Sequence, residues 1–420
     1  MPVLFDGDLV FGESGQLLPD HGVMVDGDRI AVLVPSAEFV GHAGPRVDTS
    51  GGTLLPGLID CHVHLVYGGE PDPSSTIGRL SGGQITMKAL RHAQMSLSGG
   101  ITAIRDCGGK DYLEFAVRDA INSGQQLGPT IRAVGRMICM TGGHGNRIGR
   151  VADGIDEVIK AVREQIHAGA DQIKIMATGG VMTPGVNPED AHYTAEEIGA
   201  GIAEGLRFNK KSASHAQGSE GILNAVRNGI ASIEHGIFMT DECIEEMLAA
   251  GTYLVPTLAA VGNIMNHADQ GIPDYVIEKA GRVLEVHKES VRRFYQAGGL
   301  IAMGTDAGTP FNFHGANALE LAYMVDIGIS PSDAMVIATR NAADLLSLDD
   351  CGTIAAGKQA DLLLVDGNAG ERVAQVAEVE NHRLVMKAGQ IVYDRQDGRR
   401  GTVSIAAPDS RFTTAASAGF

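Results

Sequence analysis

The stretch GLIDCHVHL, residues 57–65, most constrains what this chain can become. It sets two histidines, His62 and His64, one residue apart in an otherwise apolar run. Alternate residues of a strand point to the same side. Both imidazoles therefore face one way, with Cys61, Val63 and Leu65 facing the other. A buried strand would take Val or Ile at these places, so the pair points to one shared ligand.

One phrase recurs through the middle of the chain: a helix end, a glycine, then a short apolar strand carrying a polar residue. It reads SLSGGITAIRDCGG (96–109), HAGADQIKIMATGG (167–180), VRNGIASIEHG (226–236), LAAGTYLVPTL (248–258) and YQAGGLIAMGTDAG (295–308). The glycine suits the left-handed position that closes a helix. Strands apolar on both faces suit a parallel sheet buried on each side. Ahead of one such strand, Ile155, Val158, Ile159, Val162 and Ile166 keep helical spacing after an acidic start. Repeated units of this kind predict an α/β fold, a (β/α)8 TIM barrel over residues 57–354. The two ends read differently, as short strands and turns: VMVDGDRIAVLV early, GTIAAGKQADLLLVDG and HRLVMKAGQIVYD late. Residues 1–56 and 355–405 are expected to pair into one small composite β-sandwich. Residues 406–420 read as a tail, mobile or an oligomer arm.

Counting from the closing glycines, Gly169 leads to Lys174, Gly229 to His235 and Gly299 to Asp306, offsets of five, six and seven residues. Each polar residue then falls at the C-terminal end of its strand, where a barrel has its mouth and its active site. His215, in KKSASHAQG, takes the same place in its own unit, and His62 and His64 end the first strand. Singly, each has an ordinary explanation: a strand-end histidine as a hydrogen-bonded rim residue, Asp306 as a helix cap, Lys174 as a snorkelling side chain. All six obeying one placement rule on five strands is not explained that way. Clustered imidazole and carboxylate mark a metal or catalytic centre.

The bulk numbers narrow the partners. A formal net charge of −18, from 33 basic and 51 acidic residues, argues against nucleic acid or an anionic membrane. The five cysteines are odd in number with no CxxC spacing, so they read as reduced residues of a cytoplasmic protein. No signal peptide or membrane span is expected.

The HxH strand, the strand lysine, two further strand histidines and the final strand Asp resemble the amidohydrolase superfamily, as does the closing GTIAAGKQADLLLVD. TAIRDCGG, TGGHGN, IKIMATGGVMTPG and SIEHG look like its binuclear-metal branch, which contains Xaa-Pro dipeptidases (prolidases) and related N-acyl amino acid amidases. Imidazolonepropionases are cousins that lack the strand lysine. The resemblance implies two divalent metal ions, zinc foremost, bridged by a carboxylated Lys174. His62, His64 and Asp306 would hold one ion, and His215 and His235 the other. It further implies a metal-bridging hydroxide, Asp306 as proton shuttle, and His144 in MTGGHGNRIGR as hydrogen-bond partner of the substrate carbonyl. Arg147 and Arg150 on that loop, Tyr193 in EDAHYTAEE and His314 in GTPFNFHG are expected near the mouth. Arg147 and Tyr193 are candidates for a substrate carboxylate, each against a plain structural role. The remaining histidines singled out (His21, His42, His92, His167, His267, His287, His382) read as structural.

The implied activity is hydrolysis of an amide or peptide bond, most simply that of an Xaa-Pro dipeptide. The alternative is an amidase for bulkier N-acyl amino acids, including xenobiotic or mycotoxin amides. Basic carboxy-terminal residues are disfavoured, because no acidic mouth-loop residue stands out as their counter-ion. A non-catalytic scaffold would show broken ligand positions, and none is broken. A homo-oligomer taking a small-molecule or dipeptide substrate is expected.

Overall fold

The structure, a computed structural model, describes residues 2–395 and the backbone of Arg399–Arg400. The expected tail at 406–420 and the last residues assigned to the sandwich lie outside the described residues. The architecture is mixed α/β. Seven strands of the middle region are β1 (Leu58–Val63), β2 (Ile101–Asp106), β3 (Thr130–Ala133), β4 (Ile173–Met176), β5 (Ser212–Ala216), β6 (Ser232–His235) and β7 (Tyr253–Val255). All their pairings are parallel: β1–β2–β3 form one ladder and β4–β5–β6–β7 another. Hydrogen bonds link the two. The 300–303 segment bridges β7 through Leu254 and Ile301, while the Cys61 amide of β1 donates to the Met303 carbonyl at 2.8 Å. On the other side the Asp171 amide, just ahead of β4, donates to Ala133 of β3 at 2.8 Å.

The helix–glycine–strand grammar holds locally. The helix Gly154–Ala168 turns Val158, Ala161 and Val162 inward and ends at Gly169 with φ 101°. The glycine closing the last long helix is Gly298 (φ 81°), not Gly299. Gly299 is needed for contact instead: a Cβ there would sit 2.3 Å from the Phe294 ring. The Ile337 carbonyl, at the start of a π-helical turn over Ile337–Asn341, accepts from the Met303 amide at 3.1 Å and ties down the 300–303 segment.

A seven-stranded sheet joins Leu9–Phe11, Leu17–Pro19 and Gly52–Pro56 to Leu362–Asp366, His382–Lys387, Gln390–Asp394 and Arg399–Arg400. Gly52–Pro56 lies antiparallel to Leu362–Asp366, with Leu54 opposite Leu364. A four-stranded sheet from residues 3–48 faces it, and Phe5, Val23, Ile30, Leu54, Leu362, Leu364 and Met386 share one core. The hairpin predicted at KAGQ turns through Ala388 (φ 45°) and Gly389 (φ 75°), the left-handed pair that two-residue hairpins require. Among the described residues no helix is long and apolar enough to cross a membrane, and all five cysteines are free.

Leu54 is fully buried where the two sheets meet. Leu54→Ala is expected to cost about 2–5 kcal/mol, read as a lowered midpoint in urea unfolding followed by circular dichroism. An unchanged midpoint would show that this core does not hold the sheets together.

Candidate metal centre

The strand register sets the heights of the functional groups. Met176 lies opposite His215, and Ala216 opposite His235. Lys174 is the second residue of β4, not its last, so it starts two residues below the level of His215. A lysine's four-carbon stem needs that lower start to bring its amine level with the shorter imidazoles. His62 sits near the end of β1 and His64 just past it. Asp306 follows the 300–303 segment, its amide donating to the His62 carbonyl at 2.7 Å.

These groups converge. Nε2 of His62 and of His64 lie 3.5 and 3.3 Å from Asp306 Oδ1. Ring centroids are 5.4 Å apart for His62–His64, 5.2 Å for His62–His235 and 4.5 Å for His215–His235. Ligand atoms of His62, His235 and Asp306 all fall within 4.8 Å of one another, a spacing that can hold a metal ion. The Lys174 amine lies within electrostatic reach of His62, His215 and His235. The structure thus gathers all six expected ligands.

Each ring is oriented through one nitrogen, leaving the other for a ligand. His62 Nδ1 is 2.7 Å from Glu234 Oε2, His64 Nδ1 is 2.8 Å from the Gly108 carbonyl, and His235 Nδ1 is 2.7 Å from Thr257 Oγ1. His215 uses Nε2 instead, 2.8 Å from the Gly179 carbonyl. Glu234 also accepts from Arg105 Nη2 at 2.7 Å and Ser232 Oγ at 2.6 Å. Asp60 accepts from the His62 amide at 3.0 Å, Thr305 Oγ1 at 2.6 Å and Asn317 Nδ2 at 2.7 Å, tying β1 to the turn that carries Asp306. The sequence reading passed over Asp60, Arg105, Glu234 and Thr257. For Asp60, Arg105 and Glu234 the signal was a charged residue inside an apolar strand, as in AIRD and SIEH; Thr257 carried none. Cys107 lies near His62 and Glu234, but its thiol points to the Cys61 carbonyl and Glu234 is already satisfied. That trio supports the centre and does not form a second one.

Burial holds the His62 and His215 imidazoles well below their ordinary pKa and brings His235 and His144 down to about 3. Neutral rings are the form that ligates metals. For His64 burial also pulls downward, but the adjacent Asp306 carboxylate outweighs it and the net shift is upward. Asp306 is pushed up by burial and pulled down further by His62 and His64, ending below its ordinary range. Two buried atoms here have no hydrogen-bond partner among the described residues: Nζ of Lys174, whose residue is 1% exposed, and Oδ1 of Asp306. A buried polar atom without a partner is costly. An orphaned amine and an orphaned carboxylate oxygen beside buried imidazoles are groups that a cation site would use.

The remaining candidates divide. His144 lies 4.4 Å from His215 by ring centroids, and its Nδ1 is 2.8 Å from Thr183 Oγ1. Its ring packs on Gly180, where a Cβ would approach it to 2.7 Å. Arg147 is exposed and within electrostatic reach of Tyr67 and Tyr275. Arg150 departs from expectation: Glu164 and Glu157 hold it at 2.6 and 2.9 Å, away from the mouth. Tyr193 departs too. It is 2% exposed in the apolar core, with its hydroxyl donating to the Ala152 carbonyl at 2.8 Å. Its neighbour His192 packs on Gly143 of the TGGHGN loop, and neither ring nitrogen has a hydrogen-bond partner among the described residues. His314 Nε2 lies 3.0 Å from the Tyr67 carbonyl, and its ring stacks on His92, so it braces the loop after β1.

Four imidazoles, a buried lysine and a carboxylate gathered at one end of parallel strands make a donor set that could hold metal ions. Comparison with known proteins agrees: the Amidohydrolase family model matches residues 53–392. The chain belongs to the amidohydrolase family and is a hydrolytic enzyme. It is 29% identical to ochratoxinase of Aspergillus niger, over 90% of this chain and 85% of that one. Among solved structures, a Xaa-Pro dipeptidase with methionine bound in its active site superposes with a TM-score of 0.86 at 32% identity, covering 94% of this chain and all (100%) of the other. A prolidase complexed with N-methylphosphonate-L-proline gives a TM-score of 0.85 at 30% identity, covering 94% and 100%.

Glu234→Gln removes the carboxylate that orients His62. Metal affinity measured by chelator competition is expected to fall by about 10–100-fold. Unchanged affinity would show that Glu234 does not set the ligand.

Proposed function

We propose that this chain is a binuclear metal-dependent amidohydrolase that cleaves an amide or peptide bond, with Xaa-Pro dipeptides as its first substrate class. The two parallel ladders, joined through the 300–303 segment and the Asp171–Ala133 bond, read as one (β/α)8 barrel over 57–354. Residues 1–56 and 355–405 read as its composite β-sandwich. One observation carries the proposal: a buried lysine amine with no hydrogen-bond partner among the described residues, set beside imidazoles that burial keeps neutral.

In this reading His62, His64 and Asp306 would hold one divalent ion and His215 and His235 the other, with Lys174, once carboxylated, as a shared ligand. Zinc suits this donor set. When bound, such a pair polarises the scissile carbonyl and supplies a water-derived nucleophile at neutral pH. The chain does the rest. Asp306, whose Oδ1 has no hydrogen-bond partner among the described residues, takes at that oxygen the proton lost by the attacking water and returns it to the leaving amine. Neutral His144, with Nδ1 accepting from the Thr183 hydroxyl, presents Nε2–H to the carbonyl oxygen, where charge develops. Gly142 (φ 70°) and Gly145 (φ 82°) let the loop carrying His144 turn tightly beside the substrate. Arg147, exposed at this rim, offers paired N–H groups to a substrate carboxylate. Tyr193 is left to its buried structural role. An amidase of bulkier N-acyl amino acids or mycotoxin amides is the second reading, supported by the identity to ochratoxinase over 90% of the chain.

Metal content by plasma mass spectrometry, with turnover on a panel of Xaa-Pro dipeptides and N-acyl amino acids, tests the proposal. About two metals per chain are expected, with fewer than one and no hydrolysis in Lys174→Ala. His144→Asn should keep its metals and lose about 10²–10³ in kcat. A single metal, indifferent to loss of the lysine, would overturn the binuclear reading. Preference for bulky N-acyl substrates would select the amidase.

A further inference from the structure

Three residues around the centre hold left-handed backbone: His235 (φ 75°), Thr257 (φ 57°) and Asp306 (φ 59°). Thr257 is the least expected of them. A β-branched residue in that region is strained and persists only where its surroundings over-determine it. Thr257 occupies the N-cap position of the helix Leu258–Asn266, where a threonine hydroxyl ordinarily accepts from its own helix. Here it makes no cap hydrogen bond. Its Oγ1 lies 2.7 Å from Nδ1 of His235 instead.

The uncapped amides are taken by a residue from elsewhere in the chain. Glu320 accepts from the Leu258 amide at 2.8 Å through Oε1 and from the Ala259 amide at 2.7 Å through Oε2. Both Glu320 and Thr257 have no exposed surface. A carboxylate across the first amides of a helix satisfies orphan donors and meets the positive end of the helix dipole. Burial nevertheless pushes the Glu320 carboxyl up to about 8, with the two amides opposing. The fold therefore accepts an unfavourably buried acid at the place where a threonine would normally serve. With the helix start clamped by Glu320, the Thr257 hydroxyl is released to face the metal ligand.

We propose that Glu320 is a positioning residue for the metal ligand His235, acting through Thr257. The inference rests on the binuclear reading, because it assigns a task only to a His235 that ligates. Loss of the clamp lets Thr257 relax toward capping its own helix. His235 then loses the partner that fixes its ring, and the metal it holds dissociates faster.

The test is metal release from the holoenzyme into excess chelator, for wild type, Glu320→Gln, Thr257→Val and the double variant, beside bound metal per chain and steady-state kinetics. Each single variant is expected to release one metal about tenfold faster or more, with KM little changed and kcat restored by added metal. The double variant should release no faster than Thr257→Val alone, because both act on one contact. Glu320→Asp, one methylene short of the amides, takes the place of Glu320→Gln if that variant does not fold. Wild-type release in the Glu320 variant would overturn the inference alone, as would multiplicative effects in the double variant. So would a lower melting temperature of the metal-free chain with release unaltered, which marks a purely structural role. A wild-type chain that takes up no metal would overturn the binuclear reading and this inference with it.

Discussion

The Arg105–Glu234 pair inside the sheet is the interaction on which the centre depends. Arg105 is 1% exposed and Glu234 has no exposed surface, so neither charge can exist there without the other. Arg105 donates Nε to the Cys61 carbonyl at 2.6 Å and Nη1 to Gln172 and Ser232 at 3.2 Å each. One guanidinium thereby pins β1, β2, β6 and the entry to β4. Removing one partner of such a pair typically costs about 3–5 kcal/mol, because the survivor is left buried and uncompensated. Glu234 then spends its remaining oxygen on His62. The His62 ring is thus oriented by a network that cannot shift without exposing a bare charge to apolar surroundings.

Strain is distributed in the same economy of contacts. His235, at the end of its strand, and Asp306, after the 300–303 segment, both hold left-handed backbone. The cost of such a conformation is about 1–3 kcal/mol per residue. Packing repays it locally: His287 Nε2 lies 3.0 Å from the His235 carbonyl, and Ser290 Oγ donates to the Gly236 carbonyl at 2.7 Å, both from the long helix Asp274–Gln296. The helix is consequently part of the site's support, although none of its residues reaches the ligand atoms.

What the sequence discloses and what it hides follows from periodicity. The six residues that gather at the centre were legible because each is a polar residue breaking an apolar run at a countable distance from a glycine. The terminal sheet was legible because hairpins carry their own turn chemistry at Gly27 and Gly389. Heights within the strands were not, so Lys174 proved to start lower than the histidines it serves. Tyr193 failed for a related reason: neighbouring residues in extended chain face opposite ways, and spacing alone did not say that Tyr193 turns inward while His192 meets the TGGHGN loop. Thr257 and Glu320 were invisible, since a threonine before a helix reads as an ordinary cap and a lone glutamate as a surface residue. Only the fold brings Glu320 to two amides that lie 62 and 61 positions before it.

The strand Gly52–Pro56 runs directly into β1, yet its antiparallel partner is Leu362–Asp366. Thr53 and Gly367, joined through the Thr53 hydroxyl, are 314 residues apart. At typical synthesis speeds that distance takes about 15–60 s to emerge from the ribosome. For all that time the segment leading to His62 and His64 carries an unpaired edge, the kind of surface that recruits other chains. Every ligand strand is made before the sheet that anchors the first of them can close. Order of appearance, and not only final packing, therefore makes this chain dependent on protection while it is being born.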